Sequence, residues 1–253
     1  MYDEKYEMHA WWGSRPIGIE QCAASFCDFV NALPDIDPIY CSWLRDWPSV
    51  KPFCSVPLST AEAVPLVEKR RARYDATGEL WPELGYSLSA RNAGPKELAG
   101  RPNDNAGTGV SVGSFNSSNP HCNQIGMRLA NARLATGAPW RAFELRPLMK
   151  LVLRIWEPRE ISVDCARYSK FRPKIPDASF AVKERLLLPW VGWLTYLPAD
   201  LVSKVTLPAD LDVERLDDGS VIVSLCEEPF TIDNPVHMAR ARALEAAIRP
   251  IQT

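Results

Sequence analysis

The chain has 253 residues, 46% of them apolar and 24% charged, which excludes a disordered polymer and leaves room for a sizeable core. A formal net charge of −2 speaks against a nucleic-acid binder, which normally shows a clear basic excess. Seven cysteines without CxxC spacing argue against a secreted disulfide framework and read as reduced thiols in a cytoplasmic protein.

The opening MYDEKYEMHAWWG lacks the basic and apolar regions of a secretory signal. Tyr6 to Gly13 is rich in aromatics and predicts a first strand. Ile19, Cys22, Ala23, Phe26, Phe29 and Val30 recur at three- and four-residue spacing, which predicts an amphipathic helix stopped near Leu33-Pro34. Tyr40 to Trp47 reads as a second strand. Thr60 opens a helix through Arg73, with Pro65 in its first turn and Gly78 as the stop.

Leu84–Ala90, Gly109–Phe115 and Asn123–Leu129 alternate apolar with small or polar residues and predict an antiparallel meander. The segment Asn92 to Thr108, rich in Gly, Pro and Asn, reads as a long loop. Trp140 to Trp156 is helical in period, and Pro147 should start or kink that helix. Glu160–Ala166 and Val191–Tyr196 read as strands. Leu211–Leu216 and Val221–Leu225 flank Asp217-Asp218-Gly219-Ser220, a hairpin turn signal. The last helix starts after Asp233-Asn234-Pro235 and stops at Pro250. The apolar runs Leu186–Pro189 and Trp190–Leu197 are too short to span a membrane. The nine tryptophans are expected mainly in the core.

Catalytic signatures are missing. There is no GxSxG elbow, no GxxxxGK[ST] loop and no GxGxxG between strand and helix. Gly107-Thr108-Gly109 lies between predicted strands, where a hairpin or loop fits better than a phosphate cradle. His9, His121 and His237 lack ligands at metal spacing, and Asp35 and Asp37 fit a turn and cap. No cofactor and no metal are expected.

Charge is segregated along the chain. Asp200 to Asp233 holds nine acidic residues against two basic, a net of −7, and Arg141 to Lys174 holds nine basic against four acidic, a net of +5. Two expectations follow: the segments neutralise each other in space, or the acidic one steers a basic partner. For the second, the candidate partner-binding residues are Asp212, Glu214, Asp217, Asp218, Glu227 and Glu228.

The run AWWGSRPIGIEQCAASFCDFVNALPDIDP, GYSLSARN at Gly85–Asn92, GWLTYLP at Gly192–Pro198, LDDGSVIVSLCEEPF at Leu216–Phe230 and NPVHMARARALEAAI at Asn234–Ile248 form a series. From about Trp11 to Ile248 that series resembles the immunity protein 52 family of bacterial polymorphic toxin systems. These are packing and turn motifs, not an active site. The resemblance implies an α+β fold: antiparallel sheet with helices packed on one face. It is read as one domain over 1–253, with two similar α/β halves, 1–135 and 136–253, left open. It also implies an immunity role. The partner would be a cognate restriction-endonuclease-like nuclease toxin, often delivered by type VI secretion and neutralised in the cytoplasm by stoichiometric blockade. No direct nucleic-acid or membrane contact is expected, and the oligomeric state is open. The Gly/Asn-rich insertion around Ala93–Thr108 is longer than the family pattern. An effector chaperone without inhibition, and an enzyme using scattered carboxylates with His121 or His237, remain the competing readings.

Overall fold

The computed structural model describes residues 4–45, 59–92, 107–113, 123–130, 136–171 and 189–252. Its strands are β1 (Tyr6–Trp12), β2 (Trp43–Arg45), β3 (Tyr86–Asn92), β4 (Gly107–Val112), β5 (Asn123–Arg128), β6 (Glu160–Cys165), β7 (Leu194–Leu197), β8 (Asp212–Arg215) and β9 (Val221–Ser224). They form one sheet in the order β2-β3-β4-β5-β1-β6-β7-β9-β8, with every adjacent pair antiparallel. The first strand described is thus the middle one, flanked by β5 and β6.

Period-two patterning sets the faces. In β3, Tyr86, Leu88, Ala90 and Asn92 are buried while Ser87, Ser89 and Arg91 are exposed. The register carries this inner face through Val110 and Val112, Ile125 and Met127, to Met8, Ala10 and Trp12. Helix α1 (Ile19–Ile36) packs against α2 (Thr60–Lys69) and α3 (Ala142–Trp156), and α3 meets this face where Trp156 stacks on Trp12 at 6.3 Å, with the Phe29 ring of α1 tilted against it at 5.1 Å. Tyr40 bridges Trp43 and Trp140 at 6.1 and 6.0 Å. In β6, β7 and β9 every residue is buried, so the sheet is covered on both faces there. Short α4 (Ala199–Val202) lies in the crossover from β7 to β8, and α5 (Pro235–Ile248) adds His237, Ala241, Leu244 and Ile248 to the core.

Several boundaries differ from expectation. First, α1 continues to Ile36 through Pro34, which falls in the last turn, where its lost N–H costs one bond and Asp37 N–H still reaches the Leu33 carbonyl at 3.2 Å. Second, α3 is continuous through Pro147. Its buried residues Ala142, Leu145, Leu148, Met149, Leu151, Val152 and Trp156 lie on both sides of the proline, and packing outweighs the missing bond. Third, α2 ends at Lys69 rather than Arg73, and Pro65 sits in its second turn. Residues 70–74 offer no apolar face and find partners further along the sequence instead: Ala72 N–H donates to the Gly85 carbonyl and Tyr74 N–H to that of Glu79, both at 2.9 Å. The second strand begins at Trp43 rather than Tyr40, since Pro38–Tyr40 forms a 3-10 turn capped by Asp37, and the rest of its expected span, beyond Arg45, lies outside the described residues. The other elements form within a few residues of expectation, and Asn234 caps α5 through the Val236 N–H at 2.9 Å. The insertion Ala93–Thr108 lies outside the described residues up to 106; its end begins β4.

Four cysteines behave as the composition implied. Cys22, Cys27, Cys165 and Cys226 are buried, and burial pushes their thiols up to about 12, 11, 12 and 12. Cys41 is exposed, and Cys54 and Cys122 lie outside the described residues. In iodoacetamide mapping by mass spectrometry, Cys41 should label in the native protein and the four buried thiols only after unfolding. Rapid native labelling of Cys22 or Cys165 would contradict this packing.

Candidate partner-binding surface

Of the two expectations for the charged segments, mutual neutralisation is what the fold produces. Helix α3 offers Arg146 and Lys150 one turn apart, and edge strand β8 offers Asp212 and Glu214 two residues apart on the same face. One helical turn spans about 5.4 Å and two strand residues about 6.6 Å, so the two rows match. Arg146 pairs with Asp212 and, at 3.8 Å, with Glu214, and its Nη2 donates to Ser224 Oγ at 3.0 Å. Lys150 also pairs with Glu214. Arg141 meets Glu227 at 3.1 Å. Arg159 holds both Asp200 oxygens at 2.5 Å, and Arg167 lies 2.8 Å from both Asp233 and Glu4.

Two of the six candidates have other tasks. Asp218 accepts from the Ser220 N–H at 2.9 Å and from its hydroxyl at 2.5 Å, closing the hairpin turn in which Gly219 takes φ +85°. Glu228 accepts from His237 Nε2 at 2.8 Å. The Nδ1 of His237 accepts the Thr231 N–H, which assigns the proton to Nε2. His237 is 2% exposed and stacks on Phe230 at 5.7 Å, so it serves packing, while His121 lies outside the described residues. Asp217, at the exposed hairpin tip, is the candidate with no ion-pair or hydrogen-bond partner among the described residues.

The carboxyls of Asp200, Asp218, Glu228 and Asp233 are held below the ordinary range by hydrogen bonds from Arg159, Ser220, His237 and Arg167, respectively. A folded-state pKa below the unfolded one gives stability that is present above the unfolded value, near 4, and lost as pH falls through the folded value. Urea midpoints should therefore be flat from about pH 7 to 5 and drop below about pH 4. A midpoint that rises on acidification would reverse the assignment.

The outer face of the N-terminal half, which alternation alone could have flagged, presents a second surface. Three rows run across β3, β4, β5 and β1: Ser87-Ser111-Gln124-Trp11, Ser89-Gly109-Gly126-His9, and Arg91-Gly107-Arg128-Glu7. Trp11 donates its indole N–H to Gln124 at 3.1 Å and stacks on His9 at 5.2 Å. Glu7 meets His9 at 3.4 Å and Arg128 at 3.5 Å. In the middle row His9 carries the one large side chain, beside two glycines and a serine. A Cβ on Gly109 would meet nothing within 4 Å among the described residues, and one on Gly126 would touch only the His9 ring at 3.5 Å. Neither glycine has a positive φ. Each thus forgoes about 0.5–1 kcal/mol relative to alanine with no steric reason among the described residues.

Among the described residues no group of three or more His, Cys, Asp or Glu is placed to hold a metal ion, and no helix is long and apolar enough to cross a membrane. Among solved structures, the chain is similar to the Pseudomonas aeruginosa T6SS protein PA0821, with a TM-score of 0.52 at 12% identity over 98% of this chain and 73% of that one. At that identity the likeness concerns the fold alone. No curated protein matches significantly. The family model for immunity protein 52 matches residues 4–250, which run from just before the central strand to the turn that follows α5. A match of that extent covers every strand and helix described above, and the chain belongs to the immunity protein 52 family.

Proposed function

We propose that this protein binds a cognate toxin and neutralises it by one-to-one blockade, without catalysis of its own. The family match over residues 4–250 carries the reading. The proposed target is a restriction-endonuclease-like nuclease delivered by type VI secretion, and the proposed place of action is the cytoplasm of the producing cell. Likeness in fold to a T6SS protein is consistent with that setting. A specific complex would bury on the order of 1,600 Å². Protecting DNA calls for nanomolar affinity, about −12 kcal/mol.

The acidic contribution is proposed to centre on Asp217, with Asp212, Glu214, Asp218, Glu227 and Glu228 as a rim whose charges are already shared with internal partners. Surface charge of this kind sets the on-rate more than the off-rate.

The test is to purify the chain with the product of the adjacent gene, weigh the complex by light scattering and follow plasmid cleavage. Inhibition complete at equimolar ratio is the expected result. Failure to associate would overturn the immunity reading. Association without inhibition would favour the chaperone. Asp217→Lys should slow association about 3- to 10-fold at low salt and flatten its salt dependence; an unchanged rate would remove the acidic steering while leaving the immunity role standing.

A further inference from the structure

We propose that the cleft between α1 and α3 is a docking site for a segment of the cognate toxin that carries two basic side chains and a carboxylate. The inference rests on the immunity reading and names a surface through which it would operate.

Shape is the first argument. The cleft holds about 580 Å³, within the range of sites that take a ligand. Ser25, Asp28, Ala32 and Asp35 are spaced three, four and three apart, so they follow one stripe of α1. Arg154 and Ile155 of α3 line it from the other helix. Ala32 and Ile155 are half-buried against the core and give the cleft apolar walls, while Asp28, Asp35 and Arg154 are exposed. Asp28 and Asp35 lie two turns apart, about 10.5 Å along the helix axis. That is room for two long side chains entering from one partner segment.

Charge is the second. The three charged residues of the lining have no ion-pair or hydrogen-bond partner among the described residues, although both signs face one cleft. Elsewhere on α3 the fold neutralises such charges. Arg146, Lys150 and Arg154 follow one another at four-residue spacing, and the first two pair with Asp212 and Glu214 of β8. Arg154 is the member of that row left over. Asp35 is likewise the unused acid of the LPDIDP run, since the capping bond from the Ile39 N–H goes to Asp37. It sits in the last turn of α1, which holds no base, and the negative end of the helix dipole disfavours a carboxylate there. A bound cation removes that penalty. Two acids and a helix end against one base give the cleft a negative balance. A nuclease offers the complement, because the surface that grips phosphates is rich in Lys and Arg. Its basic side chains would pair with Asp28 and Asp35, and a neighbouring Asp or Glu with Arg154. Nucleic acid itself is repelled by the same balance.

The experiment compares wild type with the reversed pair Asp28→Lys/Asp35→Lys, the neutral pair Asp28→Asn/Asp35→Asn, Arg154→Glu and the control Asp75→Lys, an exposed acid outside the cleft. Thermal midpoints should stay within about 2 °C of wild type, since every altered side chain is exposed. Affinity for the adjacent-gene toxin, by surface plasmon resonance, should fall about 100-fold for the reversed pair and about 10-fold for the neutral pair and for Arg154→Glu. The loss should persist in about 0.5 M NaCl as a faster off-rate, and Asp75→Lys should bind as wild type does. If wild type binds and the cleft variants bind equally well, the cleft is not the interface and the immunity reading survives. A loss confined to the on-rate and abolished by that salt, or shared by Asp75→Lys, would overturn docking in favour of long-range steering. If wild type itself fails to bind, that reading fails and this inference with it. Spermidine bound by wild type and released by the reversed pair, with toxin affinity unchanged, would overturn the toxin segment in favour of a small polycation. A wild-type dimer abolished by the reversed pair, with toxin binding retained, would overturn it in favour of a second copy of this chain.

Discussion

Trp156→Ala is expected to cost about 3–5 kcal/mol, a fall in thermal midpoint of roughly 6 to 20 °C for a chain of this size. The side chain is 3% exposed and touches two other elements at once, Trp12 of β1 and Phe29 of α1. Alanine there leaves a void that three rigid elements cannot close together, so the loss combines transfer energy with a cavity. Trp11, one residue from Trp12 but on the outer face, is the internal control: Trp11→Ala should cost no more than about 1 kcal/mol. Calorimetry on both variants reads the difference. Equal losses would mean that the faces of β1 have been assigned the wrong way round.

Gly192→Ala should be nearly as damaging for the opposite reason. A Cβ at this position would lie 2.4 Å from the Val163 carbonyl oxygen and 3.0 Å from that of Leu194. Both atoms are backbone, and neither can rotate away. Overpacking costs about 1–3 kcal/mol and more where backbone must move, so a loss of about 3 kcal/mol is expected. The location raises the stakes. Strands β6 and β7 pair through only Ser162–Thr195 and Val163–Leu194, and Gly192 N–H donates to the Thr195 hydroxyl at 3.0 Å. A shift there loosens the join between β1–β6 and β7–β9. Urea unfolding should show a reduced midpoint, with faster proteolysis on the C-terminal side. A midpoint within error of wild type would show that the loop before β7 accommodates the methyl group.

Much of this architecture could be read before any coordinates. The helix period of Cys22, Phe26, Phe29 and Val30 and the alternation of Tyr86 to Asn92 are direct consequences of one-sided burial, and both elements formed with the expected inner faces. Pro34 and Pro147 act locally, by the loss of one N–H each, whereas the buried stripe on both sides of Pro147 is a property of the whole helix and outweighs that loss. Sheet order was not legible: nothing local tells β1 that its neighbours will be β5 and β6. The candidate acidic residues were found by counting charge, but their fate depended on Arg141, Arg146 and Lys150 arriving opposite them. Matching basic spacing on a helix to acidic spacing on a strand would have anticipated those pairs. The outer face is legible in the sequence only as alternation: small residues at every second position of β4 mark which side of the strand is open, but carry no charge or aromatic signal of a surface.

The position of β1 also has a consequence for synthesis. Tyr6 is synthesised long before its partner Cys165, which belongs to a strand that begins only at Glu160. At ordinary elongation rates the nascent chain waits on the order of ten seconds with one flank of its central strand unmatched. Met8 and Ala10, fully shielded in the finished molecule, stand at an open seam throughout that interval. Nascent chains stalled between residues 130 and 159 should therefore be the species that recruit holdase chaperones, and release past β6 should free them.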